Sequence, residues 1–346
     1  MMGVMTSYVD TAVPATGRDT GVPWHYGDPF AEQRALARGA AVVDRRNRDV
    51  LVVPGEDRLG WLHSICSQHV SALRDGDSTE SLVLSPNGHV EQHWQVTELD
   101  GTVWLDTEPG TAPVVLDYLT KMRFLKRVEP ADVSAEWAVV SVAGPATADV
   151  LTAAGFPVPD GPGRAVAVHG GGFVRRVPGL PADAADLLVP AGRADGVIAA
   201  LVAAGATAAG LWAYEAARVE AGRPRLGAET DHRTIPHEVG WIGSAVHLDK
   251  GCYRGQETVA RVQNLGRPPR RLVFVHLAGE SDELPAPGTP VELDGRAVGF
   301  LGTAVHHHEL GPVALAVIKR AVADDAALTA GGHALAVDPA RSGGRE

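Results

Sequence analysis

Residues 250–257 read Lys-Gly-Cys-Tyr-Arg-Gly-Gln-Glu and set one of the two cysteines of the chain between two cations and two glycines. The thiolate is the nucleophilic form of cysteine, and nearby Lys or Arg charge or a helix N-terminus lowers the thiol pKa from about 8.5. Both conformations open to the octet favour the thiolate. In an extended segment Lys250, Cys252 and Arg254 share one face; if Gly255 opens a helix, Cys252 lies at its positive end. The helix has more support. Val259 and Val262 stand at i, i+3 within 256–264, and Gly266 followed by Pro268 and Pro269 supplies a stop. Chemistry alone leaves Cys252 open between a reactive thiol and the small buried hydrophobe that free cysteine usually is.

A second candidate lies upstream. Residues 210–222, Gly-Leu-Trp-Ala-Tyr-Glu-Ala-Ala-Arg-Val-Glu-Ala-Gly, predict an Ala-rich helix closed by Gly222. Glu220 falls in its last turn, where the macrodipole disfavours a carboxylate by roughly 0.3–1 kcal/mol. Two explanations stand: a surface ion pair with Arg218, Arg223 or Arg225, or recognition of a ligand with paired N–H donors, for which a fixed carboxylate is the bidentate acceptor. A long irregular crossing with two prolines, 223–236, then leads to Glu238-Val-Gly-Trp-Ile242 and the octet, so that Glu220 and Cys252 can fold onto one cleft.

The elements that position these residues follow from pattern. A β-branched strand, a tight turn and an amphipathic helix recur three times: 49–53 into 56–65, 138–142 into 146–154, and 186–189 into 193–204. Pro86-Asn87-Gly88 joins strands 81–85 and 89–97, a further arm occupies 103–106, and 116–124 reads as a helix. After Pro268-Pro269 come short strands at 271–277, 290–293, 297–305 and 314–318, so 268–338 is expected to form a small all-β barrel or sandwich. His306-His307-His308 reads as a solvated turn, because consecutive side chains diverge and no Cys or carboxylate accompanies them at ligand spacing. No metal site is expected.

Composition narrows the class. The 346 residues, 45% hydrophobic and 21% charged, suit two or three globular domains of α+β type. A net charge of −11 without a Lys/Arg-rich run argues against nucleic acid as a ligand. The chain has neither an apolar run long enough to span a bilayer nor a basic-then-apolar leader, so no membrane association and a cytoplasmic location are expected. Two cysteines make no disulfide framework and cannot chelate a metal alone. Neither G-x-G-x-x-G nor a P-loop motif is present. The expected layout is a flexible N-terminus at 1–24, a bipartite α+β region of two interleaved subdomains at 25–267, the barrel at 268–338 and a flexible tail at 339–346.

Taken together, Arg218-Val-Glu-Ala-Gly222, Leu226-Gly-Ala-Glu-Thr-Asp231, Ile235-Pro236 with Glu238, the octet, and Ala260-Arg261 resemble the ordered signature of the YgfZ family. Those are folate-binding proteins related to the aminomethyltransferase (T-protein) of the glycine cleavage system. A weaker similarity runs through Gly55-Glu-Asp-Arg58, Trp61-Leu62 and Ser85-Pro-Asn-Gly88, so that it covers residues 25–338. The resemblance implies a three-domain, aminomethyltransferase-like arrangement with a C-terminal small β-barrel and a central channel for tetrahydrofolate. It implies that Glu220 pairs with the pterin ring and that Cys252 is the functional cysteine of the motif, with Lys250 beside it. Tyr253, Arg254, Gln256 and Arg261 are the other side chains that the resemblance assigns to folate. Their cations meet the folate glutamate tail or lower the Cys252 pKa.

The chain departs from the aminomethyltransferases in the strand after the Gly turn. Those enzymes carry an acid there; this strand reads His89-Val-Glu-Gln-His-Trp94, with Gln92 at the matching position and Glu91 on the opposite face. Glutamine cannot act as a general base. The resemblance therefore implies a tetrahydrofolate-binding accessory factor for assembly or repair of iron–sulfur enzymes, its partners being a folate derivative and client iron–sulfur proteins. The alternatives are a tetrahydrofolate-dependent aminomethyltransferase and a non-enzymatic folate-sensing scaffold.

Overall fold

A computed structural model describes residues 11–180, 182–279 and 283–342. The expected loose ends at 1–10 and 343–346 lie outside the described residues. Residues 11–24, also expected to be loose, instead pair strand Val13–Pro14 with Pro23–His25 around a 3-10 turn at Gly17–Asp19. The segment is held by side chains that periodicity does not report. Buried Asp19 accepts from Asn47 Nδ2 at 2.9 Å, and the Trp24 ring stacks on Trp212 with centroids 5.8 Å apart. At the other end Ser342 Oγ accepts from Phe274 N–H at 3.0 Å, which fixes residues expected to form a tail.

The chain divides into two compact units. One comprises 1–65, 69–81 and 94–214; the other comprises 66–68, 82–93 and 215–346. The first unit contains a six-stranded sheet in the order Ala165–Ala167, Phe173–Arg176, Ala184–Pro190, Trp137–Ala143, Ala41–Asp44, Thr207–Ala209. The three predicted strand-turn-helix units are present. Asp49–Pro54 leads into helix Arg58–Ile65, Trp137–Ala143 into Thr147–Ala153, and Ala184–Pro190 into Ala194–Ala203. Val140, Val142, Leu187 and Val189 of the sheet bury against Val150, Leu151, Val197 and Leu201 of the helices. The helix expected at 116–124 forms earlier, at Ala112–Lys121, because Pro113 is well placed in a first turn; it closes at Met122, and Phe124 beyond it has a left-handed φ of 45° that a continuing helix could not accommodate.

A second sheet runs Ser78–Leu84, Val90–Leu99, Thr102–Thr107, Asp49–Pro54, Ala131–Asp132. The unit boundary falls within its first two strands, and again within helix Leu211–Glu220.

The second unit ends in a closed six-stranded barrel, whose strands begin at Arg270 and finish at Val337. Val273, Val275, Leu301, Ala316 and Ile318 alternate inward to fill it. Helix Gln256–Leu265 precedes it, flanked by Gly255 and Gly266, both left-handed. Its N-terminus packs on the hairpin turn so closely that a Cβ at Gly255 would lie 2.6 Å from Ser85 O, and one at Gly88 2.7 Å from Thr258 Cβ. Glycine is needed on both sides of that contact. Among the described residues no helix is long and apolar enough to cross a membrane.

Candidate functional site

The octet straddles a change from buried to exposed. Lys250 is buried, and its Nζ donates to the Cys66 carbonyl at 2.6 Å and to that of Gln68 at 3.0 Å. Burial pushes its pKa below the ordinary lysine value. The ammonium also lies 5.1 Å from the centroid of the Tyr253 ring, within cation–π range. Tyr253 packs with Leu84, Val90, Trp241 and Val259, and burial raises its phenol to about 12. Gln256 Nε2 donates to Lys250 O at 3.3 Å and closes the turn. Lys250, Tyr253 and Gln256 thus form one packed cluster that fixes the backbone around the cysteine.

Cys252 itself is a free, exposed thiol, whereas Cys66 is buried. The buried-hydrophobe reading therefore belongs to Cys66. The two arginines assigned to the motif point to acids on the surface: Arg254 Nη1 donates to Glu91 Oε2 at 2.9 Å, and Arg261 Nη2 to Glu257 Oε1 at 3.0 Å. Gln92, beside Glu91 in the strand, is buried, and its Oε1 has no hydrogen-bond partner among the described residues. An unpaired buried carbonyl costs about 1–3 kcal/mol, and this oxygen is shielded from solvent. The next residue, His93, stacks on Trp241 with ring centroids 4.8 Å apart.

Glu220 sits in a separate cluster of the same unit. None of Arg218, Arg223 and Arg225 pairs with it. Its partners are His307 Nε2 at 3.3 Å from Oε2 and Arg341 Nη1 at 3.3 Å from Oε1. The hydrogen bond from His307 and then the Arg341 charge hold the carboxyl below the usual glutamate range, and it stays partly exposed. Each oxygen keeps a lone pair beyond these contacts, so a ligand with two N–H donors can be met in bidentate fashion. The triple-histidine run is thus not a solvated turn. His307 ends strand Arg296–His307 and is buried against Glu220 because the barrel strand turns it inward. Neither His307 nor Arg341 carried a sequence signal, since one lay in a run without ligand spacing and the other in a polar tail. Among the described residues no group of His, Cys, Asp and Glu is arranged to hold a metal ion.

The remaining signature residues build the frame. Arg218 Nη2 donates to Glu215 Oε2 at 2.7 Å and to Thr303 Oγ1 at 2.5 Å, and its Nη1 to Glu229 Oε2 at 3.1 Å. Glu229 Oε1 in turn accepts from the Thr303 N–H at 2.7 Å. These bonds tie the last turn of helix Leu211–Glu220 to the barrel strand that carries His307. Arg270 is forked between Asp231 at 2.7 Å and Glu238 at 2.8 Å, which anchors the first barrel strand to the 223–236 crossing.

The class these features define is one of fold: an aminomethyltransferase-like α+β arrangement with a C-terminal β-barrel. Residues 19–157 match the GCVT N-terminal domain, and residues 270–341 match the CAF17 C-terminal beta-barrel domain. The aminomethyltransferase T of the glycine cleavage system from Bartonella henselae superposes with a TM-score of 0.83 at 18% identity, over 94% of this chain and 93% of that one. Among sequence relatives, a chloroplastic putative transferase of Arabidopsis thaliana is 26% identical over 302 residues, 85% of this chain and 69% of that protein. An aminomethyltransferase of Streptomyces avermitilis is 27% identical over 318 residues, 87% and 84% of the two chains.

Proposed function

We propose that the protein binds tetrahydrofolate through Glu220 and acts as an accessory factor in the assembly or repair of iron–sulfur enzymes, as the YgfZ-like signature implies. The observation that carries the folate reading is Glu220 itself, an ionised, partly open carboxylate held in a helix's last turn by His307 and Arg341. Tetrahydrofolate, when bound, would supply a carrier for one-carbon units. Glu220 would accept its N–H donors, and His307 and Arg341 would keep Glu220 ionised and oriented.

Calorimetric titration with tetrahydrofolate tests this directly. Wild type is expected to bind, and Glu220→Gln to bind at least tenfold more weakly with its melting temperature nearly unchanged. Equal binding by both proteins removes Glu220 from the site, and no binding by wild type removes the folate reading.

A one-carbon transferase is the second reading, favoured by relatives that carry the name aminomethyltransferase. Against it stands Gln92, whose amide cannot take a proton as a base. Cys252 separates the two. In the accessory role its exposed thiol is the working group, so Cys252→Ala should leave tetrahydrofolate affinity within about twofold while lowering the activity of iron–sulfur enzymes in cells that depend on this protein. Full activity of those enzymes with the variant removes the thiol from the function.

A further inference from the structure

Independently of the folate reading, the first unit presents an apolar tip that its own fold does not use. Residues 122–127 read Met-Arg-Phe-Leu-Lys-Arg, and within them Phe124 is 80% and Leu125 99% exposed. Phe124 also has φ of 45°, a left-handed conformation that bulky residues adopt only when the surroundings impose it.

Those surroundings are well defined. Trp61 Nε1 donates to Met122 O at 2.8 Å on one side of the tip, and the Arg127 N–H donates to Asp57 Oδ2 at 2.8 Å on the other. Gly55, at φ of 123°, passes so close that a Cβ there would lie 2.1 Å from Arg127 O. Both ends of the loop are pinned and Val128 is fully buried, so the exposure of Phe124 and Leu125 is imposed by the fold. Beside the tip lies a cavity of about 650 Å³, lined by Pro54, Gly55, Arg123, Leu125, Lys126 and Val128, among others.

We infer that this tip and cavity form a docking site for a segment of another protein that places an apolar side chain in the cavity and carboxylates against Arg123 and Lys126. Charge and shape together select that occupant. Arg127 is paired with Glu56 and Asp57, whereas Arg123 and Lys126 form no ion pair among the described residues. With Glu129 on the same rim the charges around the tip cancel overall, and Arg123 and Lys126 are the cations left without an ion-paired acid among the described residues. Anionic membranes are met by clusters of about four to eight cations, more than this loop has, and a bilayer would not enter a concavity. A second copy docked through the same face would set Arg123 and Lys126 against their own kind.

The full-length protein is titrated with a fluorescein-labelled dodecapeptide in which Leu and Phe alternate with Glu, and anisotropy is read. Two control peptides carry Lys in place of Glu, or Ser in place of Leu and Phe. Saturable binding of the first peptide alone, weakened at least tenfold by Phe124→Ser with Leu125→Ser and also by Arg123→Glu with Lys126→Glu, is the expected result. Thermal melts establish that these surface variants remain folded. Absent binding, binding unaffected by the variants, or equal binding of either control peptide overturns the assignment. So does Phe124-dependent flotation with vesicles of phosphatidylcholine and phosphatidylserine, or Phe124-dependent dimerisation in sedimentation equilibrium.

Discussion

Arg218→Met is expected to lower the free energy of unfolding by about 3–5 kcal/mol, the usual cost of removing one partner from a buried ion pair. Arg218 is buried, and Glu215 and Glu229, both also buried, lie against it. Burial works against the guanidinium charge, but the two carboxylates outweigh it and raise the pKa above the ordinary arginine value. With the cation gone, Glu215 keeps the longer 3.8 Å contact with Arg225, and Glu229 keeps the Arg225 N–H but loses its ion pair with Arg218. Thr303 Oγ1 and the Arg223 carbonyl lose a donor as well. Urea unfolding followed by tryptophan fluorescence measures the loss. Arg218→Lys should recover only part of it, because an ammonium cannot reproduce the fork that meets Glu215, Glu229 and Thr303 together. A loss under about 1 kcal/mol would mean that the carboxylates are not confined as the geometry requires. Since Glu220 lies two residues further along the helix, the same variant should weaken tetrahydrofolate binding if Glu220 is the ligand-binding carboxylate.

The second large effect is expected at Asp106. Its carboxylate lies between Arg175 and Arg48, the latter donating Nε to Asp106 Oδ2 at 2.8 Å, and all three side chains are buried. Arg175 also donates to Asp186 Oδ2 at 2.8 Å, and Arg45 reaches the other oxygen of Asp186, so within the first unit the network links strand Thr102–Thr107 of one sheet to strands Phe173–Arg176 and Ala184–Pro190 of the other. Asp106→Asn preserves the shape and removes the charge, leaving two buried arginines short of an anion at a cost of about 3–5 kcal/mol at neutral pH. A pH series adds a second readout. Burial alone would raise the Asp106 pKa, but Arg175 and Arg48 outweigh it and bring it down to about 2. A depressed carboxylate contributes stability that is complete above its unfolded pKa near 4 and is lost as pH falls through the folded value. The stability gap between wild type and Asp106→Asn should therefore narrow by about 2 kcal/mol between pH 4 and pH 2. A gap that stays constant over that range would place the cost of the variant in packing rather than charge.

Much of this architecture is legible from pattern because burial imposes the pattern. Short apolar, β-branched runs at 138–142 and 186–189 ahead of a turn and a helix forecast strands that help fill the core, and Gly255 with Gly266 mark the ends of the helix after the cysteine. The exchange at Gln92 and Glu91 is equally visible, since neighbouring residues on a strand face opposite ways. Glu220 stands out because its place in the helix is unfavourable, but the cations named in its ion-pair alternative, Arg218, Arg223 and Arg225, are not the ones that meet it. His307 and Arg341 are 87 and 121 residues away in the chain, and no local rule relates positions so distant. The inward turn of Lys250 was hidden for the same reason. Its partners are main-chain carbonyls of Cys66 and Gln68, groups that every residue possesses and that leave no mark in a sequence.

The two glycines of the octet are alike in the motif and unlike in space. Gly255 backs onto the hairpin turn, whereas a methyl group at Gly251 would meet nothing within 4 Å. Selection has therefore been offered two different freedoms. At 255 the fold forbids change by itself, and every descendant of this sequence that keeps the hairpin must keep the glycine. At 251 the folded chain imposes no such ban, and drift toward alanine is structurally neutral. If descendants nevertheless hold Gly251 fixed, the constraint comes from something that visits the surface beside Cys252, closer than a methyl group would permit.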